Sequence, residues 1–293
     1  MLKHKKDSQI SMSRIKILFT IVTVIAIASL AFNLYQSNVN LSFTKQSNQE
    51  EMVQILLQAQ ATINAELLSV DKLLSNACQQ LSNTGLTGPE AEKILNDLYT
   101  QNSDTIIYSA AADKNDILLA IQPTNYNSII GNDTIDQEQN IKMHKTMRPT
   151  LSNLISLVEG LSGVEMVSPV FDSNQHLIGS LKIAFQPYSL IYPILKDSTK
   201  GVYTIYGLQQ NGTLIYDVTN EEQGKNIFTD EAYAGHNELL TFIHQVVENP
   251  SGYGTYSYYD DLVESRPLAS KEAYWTTIGI HNTQWRLVIA HNI

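Results

Sequence analysis

Three basic residues lie close together in an otherwise acidic part of the chain, and they are the side chains best suited to binding an anion. They are His144, Lys145 and Arg148. Because Arg148 precedes Pro149, its backbone is expected to be extended, which lets the guanidinium lean over the face of a sheet. The fork of donors on a guanidinium suits a carboxylate. A second interpretation stays open, in which the cluster is a solvated helix end whose dipole favours positive charge.

Two tyrosines, Tyr108 and Tyr126, can line the same cavity, although both can equally belong to the core. We therefore predict a ligand-binding site for a small, anionic solute, formed by the three basic residues and these two tyrosines. Later in the chain, further tyrosines alternate along the sequence. We expect them to pack within a sheet instead of lining a ligand site. They are Tyr203, Tyr206, Tyr256, Tyr258 and Tyr274.

The sequence has none of the patterns that mark a metal, phosphate or catalytic site. Its seven histidines are scattered, with no HExxH pattern and no pair at i and i+4. It has no Gly-rich phosphate loop after a strand and no GxSxG pattern. We predict no catalytic residue, no metal ligand and no cofactor, and expect that the protein is not an enzyme.

The charge of the chain is unevenly distributed. The formal net charge is −10, from 19 basic and 29 acidic residues. Residues 1–16 hold five of the basic residues and one acidic residue, which leaves 14 basic and 28 acidic residues in the remainder. An acidic body of this kind disfavours nucleic acid as a partner.

An apolar segment without charged residues runs from Ile17 to Tyr35. Nineteen residues are enough to cross a bilayer as a helix. Because the basic residues precede the segment, we expect a cytoplasmic tail at 1–16, a transmembrane anchor at 17–35 and an extracytoplasmic body. A cleaved signal peptide, with the small residues Ser29 and Ala31 before the cut, is the alternative, and it places the body on the same side.

The segment after the anchor has the pattern of one long amphipathic helix. Apolar residues recur at 3–4 spacing over four heptads between Gln46 and Leu81, with Gln60 as a polar break and no Pro or Gly. We predict a spine helix at 36–82 and a homodimer seam that contains Leu56 and Ile63. An ordinary core helix with a chance heptad is the alternative. The single cysteine, Cys78, falls within this helix and is predicted to be a buried, small hydrophobic residue.

The body repeats one order of features. In each half a hairpin is followed by a Gly turn, a helix and further strands, and we place the halves at 83–197 and 198–293. Gly224 follows Gly131 by 93 residues, and Gly252 follows Gly163 by 89. The pattern predicts an α+β fold in which each module is an antiparallel sheet with flanking helices.

The order of several motifs resembles the double Cache family of PAS-like sensor domains. The run from Pro169 to Leu181, with Pro187–Leu190 after it, resembles the closing hairpin of a Cache module. In the second half of the body, the residues that resemble the family are 211–216, 224–226, 252–256 and 285–288. The resemblance covers about residues 46–293. It implies a receptor with a membrane-distal module that takes a small ligand, a membrane-proximal module, and dimerisation through the long helix.

Two features depart from the family pattern. The sequence ends at Ile293 without a second membrane pass or an output domain, so we expect signalling through a separate partner. Amino-acid-binding members carry an Arg-x-Trp-Tyr cluster in the distal module and an Asp in its last strand. Here that module has no Trp, and Ala184 aligns near the Asp. A structural or adhesion-type envelope protein that uses the fold without a ligand is the alternative function.

Overall fold

The computed structural model describes residues 2–157, 160–198, 201–259 and 265–293, and it describes side chains at residue 23, at 26–40 and from 42 onward within these ranges. The side chains of the predicted tail, 1–16, and of the first part of the predicted anchor therefore lie outside the described residues. The chain divides into two units, residues 1–51 and 52–293. Each unit is described by itself.

The N-terminal helix α1 (Leu2–Thr84) contains no Gly or Pro, which allows it to run without a break. It ends at Gly85, whose φ of 84° is in the left-handed region and whose N–H donates to the carbonyl of Leu81 over 2.9 Å. This is the common way for a glycine to end a helix. The predicted long N-terminal helix is confirmed, and the bounds 36–82 of its spine stay a prediction.

The first unit contains the N-terminal part of α1. Several large apolar side chains in it are more than half exposed: Ile27, Leu30, Phe32, Leu34, Tyr35 and Phe43. Among the described residues, no helix has the length and apolar character needed to cross a membrane.

In the second unit, one stripe of α1 is buried in the core of the same chain. Leu56 is 4% exposed and Ile63 is fully buried. The prediction that these two residues face a second copy is therefore wrong, because the heptad stripe packs against the chain's own sheets. The same stripe continues through Met52, Ala59, Leu67, Val70, Leu74, Ala77 and Leu81.

Cys78 is half-buried and packs against this stripe's core cluster. Burial raises the pKa of its thiol to about 12, and the nearby charge of Asp71 adds to the effect. The predicted role as a small hydrophobic residue is consistent with this environment.

The remaining elements alternate between strands and short helices. The helices are α2 (Pro89–Thr100), α3 (Glu138–Thr146), α4 (Pro187–Leu195) and α5 (Asn237–Glu248), with 3-10 turns at Thr124–Ile129 and Glu231–Tyr233. The strands are β1 (Ile106–Asp113), β2 (Leu118–Gln122), β3 (Thr150–Leu151), β4 (Ile155–Ser156), β5 (Ser162–Phe171), β6 (Leu177–Phe185), β7 (Thr204–Gln209), β8 (Leu214–Asp217), β9 (Gly252–Tyr259), β10 (Leu268–Ile278) and β11 (Trp285–Asn292).

These strands form two antiparallel sheets within the described residues. The first has the order β2-β1-β6-β5-β3, with β4 paired to β5, and the second has the order β8-β7-β11-β10-β9. The two orders are equivalent strand for strand. The α+β fold with a long N-terminal helix and antiparallel sheets is therefore confirmed. The division into two modules at 83–197 and 198–293 stays a prediction.

One of the two repeat landmarks has a structural counterpart. Gly131 and Gly224 have φ values of 91° and 89°. The N–H of Gly131 donates to the carbonyl of Leu118 and the N–H of Gly224 to the carbonyl of Leu214, each over 2.8 Å, and each leucine is the first residue of the second strand of its hairpin. The other pair is not equivalent, because Gly163 lies on the inner strand β5 whereas Gly252 lies on the edge strand β9. That part of the predicted correspondence is wrong.

Helix α1 and one face of each sheet share a single core cluster. It includes Leu181 and Ile183 from the first sheet and Leu287 and Ile289 from the second. Because side chains alternate along a strand, the other face of each sheet is turned away from α1. Those two outer faces hold separate clusters, and they contain the polar groups of interest.

Candidate functional site

The outer face of the first sheet is built from cross-strand rows. Tyr108 on β1 pairs with Ala184 on β6, which pairs with Glu165 on β5. In the next row, Lys182 lies between Ala110 and Val167. Residues paired across a sheet point to the same face, so these rows place a carboxylate and an ammonium on a surface that is otherwise apolar.

Glu165 is the centre of one buried polar group. It is 3% exposed. One carboxylate oxygen accepts from the Tyr108 hydroxyl over 2.9 Å, and the other accepts from Gln139 Nε2 over 2.9 Å. Burial raises the pKa of Tyr108, and the charge of Glu165 raises it further, so the phenol stays protonated and donates. The pair of donors holds Glu165 in place between β1 and α3.

Asp116 is the centre of a second buried group on the same face. It has a positive φ of 58° in the β1–β2 turn, which Asp tolerates better than most residues, and it is fully buried. Its Oδ2 lies 2.6 Å from His144 Nε2, and its Oδ1 lies 3.6 Å from Lys182 Nζ. Lys182 also donates to the Thr134 hydroxyl over 2.7 Å. The ammonium and the carboxylate are therefore paired although both are buried.

Two acceptors on α3 lie in the same buried region without a partner. Gln139 Oε1 and Asn140 Oδ1 have no hydrogen bond to any described residue. Gln139 is 1% exposed and Asn140 is fully buried. The nitrogens of both amides are engaged, by Glu165 and by the carbonyl of Thr134. Leaving a buried acceptor unpaired costs about 1–3 kcal/mol. A donor from a bound solute would remove that cost.

The predicted site residues are only partly brought together. Tyr108 and Tyr126 form an edge-to-face pair with ring centroids 6.1 Å apart, in one cluster with Ala184. His144 is half-buried against Asp116. Lys145 and Arg148 are exposed at the end of α3, and Arg148 forms no hydrogen bond or ion pair with the described residues.

The sequence reasoning missed five buried polar residues of this site: Asp116, Gln139, Asn140, Glu165 and Lys182. A signal for two of them was present. Glu165 and Lys182 are single charges inside strands that are otherwise almost wholly apolar, and such a charge is rarely buried without a specific partner. Gln139 and Asp116 offered no comparable signal, because polar residues in a helix or a turn are usually solvated.

Comparison with known proteins shows what the part of the chain that holds this site is similar to. A family model described as the sensor domain of HK/GC/chemotaxis-like proteins matches residues 65–187. That range includes both buried polar groups. An extracellular ligand binding receptor from Desulfohalobium retbaense is 32% identical, with a TM-score of 0.68 over 82% of this chain and 40% of that chain. These matches support the predicted resemblance of the chain to Cache extracytoplasmic sensor domains.

Other Cache-type structures share the fold at lower identity. The ligand-binding domain of the Pseudomonas fluorescens chemoreceptor CtaA, in complex with L-serine, is 12% identical, with a TM-score of 0.62 over 85% of this chain and 98% of that chain. The ligand-binding domain of the Pseudomonas aeruginosa chemoreceptor PctC, in complex with GABA, is 14% identical. Its TM-score is 0.61, and the match covers 84% of this chain and 100% of that chain. No curated protein matches the sequence. The chain spans less than half of the Desulfohalobium receptor's length.

Proposed function

We propose that this protein is an extracytoplasmic sensor that binds a small solute on the polar outer face of its first sheet. The observation that carries the proposal is the pair of buried, unpartnered acceptors, Gln139 Oε1 and Asn140 Oδ1, beside the buried Glu165. A fold that served only as a scaffold would gain stability from apolar residues at these positions. Retaining the polar groups favours a ligand over the structural or adhesion role.

The solute we propose has two chemical features. Hydrogen-bond donors on it would satisfy the two α3 acceptors. An anionic group on it would pair with Arg148, supported by Lys145, at the exposed end of the helix. Tyr108 and Tyr126 would contact its body, and His144 would connect it to Asp116. The CtaA and PctC structures hold L-serine and GABA. This chain lacks the Arg-x-Trp-Tyr cluster and has Ala184 near the position of the family's Asp, so we do not assign an amino acid.

We further propose that residues 17–35 anchor the protein in a membrane, with the tail 1–16 in the cytoplasm. The basic flank of the segment and the exposed apolar side chains between Ile27 and Phe43 support this arrangement. The body would then contain the distal module, 83–197, and the proximal module, 198–293. The equivalent strand orders of the two sheets support that division. Signalling would pass to a separate partner, and the protein would bind a solute without converting it.

A thermal-shift screen of the full chain in detergent tests this function. A solute present at 100 times its dissociation constant adds about 2.7 kcal/mol to the free energy of unfolding. We expect small, anionic, hydrogen-bond-donating metabolites to raise the melting temperature of the wild type and to have a smaller effect on Arg148→Ala. If no such solute changes the melting temperature, the structural role is favoured instead.

A further inference from the structure

The outer face of the second sheet carries a cavity of about 220 Å³ that the proposed function does not use. At roughly 30 Å³ for each water molecule, this volume holds a small organic molecule of several heavy atoms. Four tyrosines and two carboxylates are prominent in its lining: Tyr206, Tyr233, Tyr256, Tyr258, Asp217 and Glu222. Tyr206, Tyr256 and Tyr258 pack in the core cluster of this sheet, as expected, and they also border the cavity.

The aromatic walls of the cavity are held by contacts behind them. Tyr256 is 4% exposed and stacks on Phe242 of α5, with ring centroids 4.5 Å apart and an interplanar angle of 17°. The Tyr206 and Tyr256 hydroxyls are 3.4 Å apart. The Tyr233 and Tyr258 rings have centroids 6.2 Å apart. Rings fixed in this way line the cavity and would lose little side-chain entropy on binding.

The loop after β8 places negative charge on the cavity. Asp217 accepts from the backbone N–H groups of Thr219 and Glu222, each over 2.9 Å, and this fixes the loop. Glu222 accepts from the Tyr233 hydroxyl and, over 3.0 Å, from Lys225 Nζ. Burial alone would raise the pKa of Glu222, but these hydrogen bonds outweigh it and the pKa is lowered. Glu222 is therefore an anion at neutral pH.

Two basic residues, Lys271 and Arg266, also line the cavity. Lys271 is 2% exposed and makes interactions of its own. Arg266 is exposed, and its guanidinium lies 5.7 Å from the centre of the Tyr259 ring. With Glu221, the lining carries three carboxylates against these two cations. The lining thus holds one carboxylate more than it holds cations, with Glu222 also paired to Lys225, and several of its walls are aromatic.

From this combination we infer that the cavity is a second ligand site, separate from the first-sheet face, and that it binds a small organic cation such as an amine or a quaternary ammonium compound. The tyrosine faces would attract the cation through their quadrupoles, and Glu222 would be its counter-ion. Leu239 and Ile227, which also line the cavity, would contact the alkyl part of the ligand.

Calorimetry on the full chain with three probes of similar shape tests the inference. Choline carries a positive charge, 3,3-dimethylbutanol is its neutral isostere, and 3,3-dimethylbutyrate is anionic. Choline should bind at least about tenfold more tightly than the neutral isostere, because only the cation gains from the aromatic faces and Glu222. Equal binding of choline and the neutral isostere, tighter binding of the anion, or no binding of choline at millimolar concentration would overturn the inference.

Variants locate the binding. Glu222→Gln should weaken choline binding about tenfold or more and leave the neutral isostere unchanged. Glu248→Gln, on the exposed end of α5 outside the cavity, is the matched control and should have no effect. Tyr258→Leu provides a second test if Glu222→Gln folds poorly. Glu165→Gln, on the first sheet, should leave choline binding intact, so failure of either proposed site can be recognised without the other.

Discussion

Lys182 Nζ lies 3.6 Å from Asp116 Oδ1, and both side chains are at most 1% exposed. Two opposite charges therefore meet out of contact with bulk solvent, on the face of the first sheet that is turned away from α1. His144 adds a third group, 2.6 Å from the other oxygen of Asp116. Burying these charged side chains together costs desolvation energy, and the arrangement is stable only while each charge keeps its partners.

Removing the ammonium should therefore destabilise the fold strongly. We expect Lys182→Met to lower the free energy of unfolding by about 3–5 kcal/mol, because it leaves Asp116 buried without its cation. Lys142→Met is the matched control: its ion pair with Glu138 spans 2.7 Å, but both side chains are more than half exposed. That change should cost less than about 1 kcal/mol. Urea denaturation measures both, and equal effects would contradict the account.

Two neighbouring leucines of α1 test which face of the helix packs on the sheets. Leu67 is fully buried and Leu68 is 57% exposed. Leu67→Ala should cost about 2–5 kcal/mol because it leaves a cavity in the core shared by α1 and both sheets. Leu68→Ala should change stability by no more than about 0.5 kcal/mol. The two midpoints of thermal unfolding, compared side by side, show whether the burial is assigned correctly.

A homodimer stays a prediction, but it needs a different seam. Leu57 and Leu68 are each more than half exposed and lie three helical turns apart, on one face of α1. In a Cys78→Ala background, cysteines at these two positions should cross-link in membranes. Cysteines at Leu56 or Ile63 are the controls and should not, because those side chains are buried within one chain. Absence of cross-linking at both exposed positions would argue against a dimer on this helix.

The lowered pKa of Glu222 predicts a pH dependence. Its ordinary value is 4.5, and folding favours the anion through Tyr233 and Lys225. The stability that this carboxylate contributes is present above about pH 4.5 and is lost as the pH falls through the lowered pKa. The melting temperature of Glu222→Gln should therefore lie below that of the wild type at pH 7 and converge with it in acid. A constant difference across the titration would show that the carboxylate's charge does not matter.

The helical periodicity of α1 could be predicted from sequence because it depends only on local spacing, whereas its partner could not. A stripe that contains Leu56, Ile63 and Leu67 is equally suited to a second helix and to the chain's own sheets. Even the polar break has an intramolecular explanation, since Gln60 Nε2 donates to the carbonyl of Thr277 over 2.7 Å.

The candidate site was harder to predict, because its groups meet only through the sheet register. Glu165 and Tyr108 are 57 positions apart in sequence, and β6 lies between their strands. The cavity on the second sheet poses a different difficulty. Alternation places Tyr256 and Tyr258 on one face of β9, but whether that face meets a core or a cavity depends on the loop after β8 that covers it.

Binding calorimetry on Arg148→Ala tests the central claim most directly. Arg148 is exposed and makes no hydrogen bond to the described residues, so its loss should leave the fold intact. For a solute identified by the thermal-shift screen, the account predicts that Arg148→Ala weakens binding by about 2–5 kcal/mol, whereas Lys93→Ala on the exposed side of α2 leaves it unchanged. Unchanged affinity in Arg148→Ala would contradict the assignment of the ligand site to the first sheet.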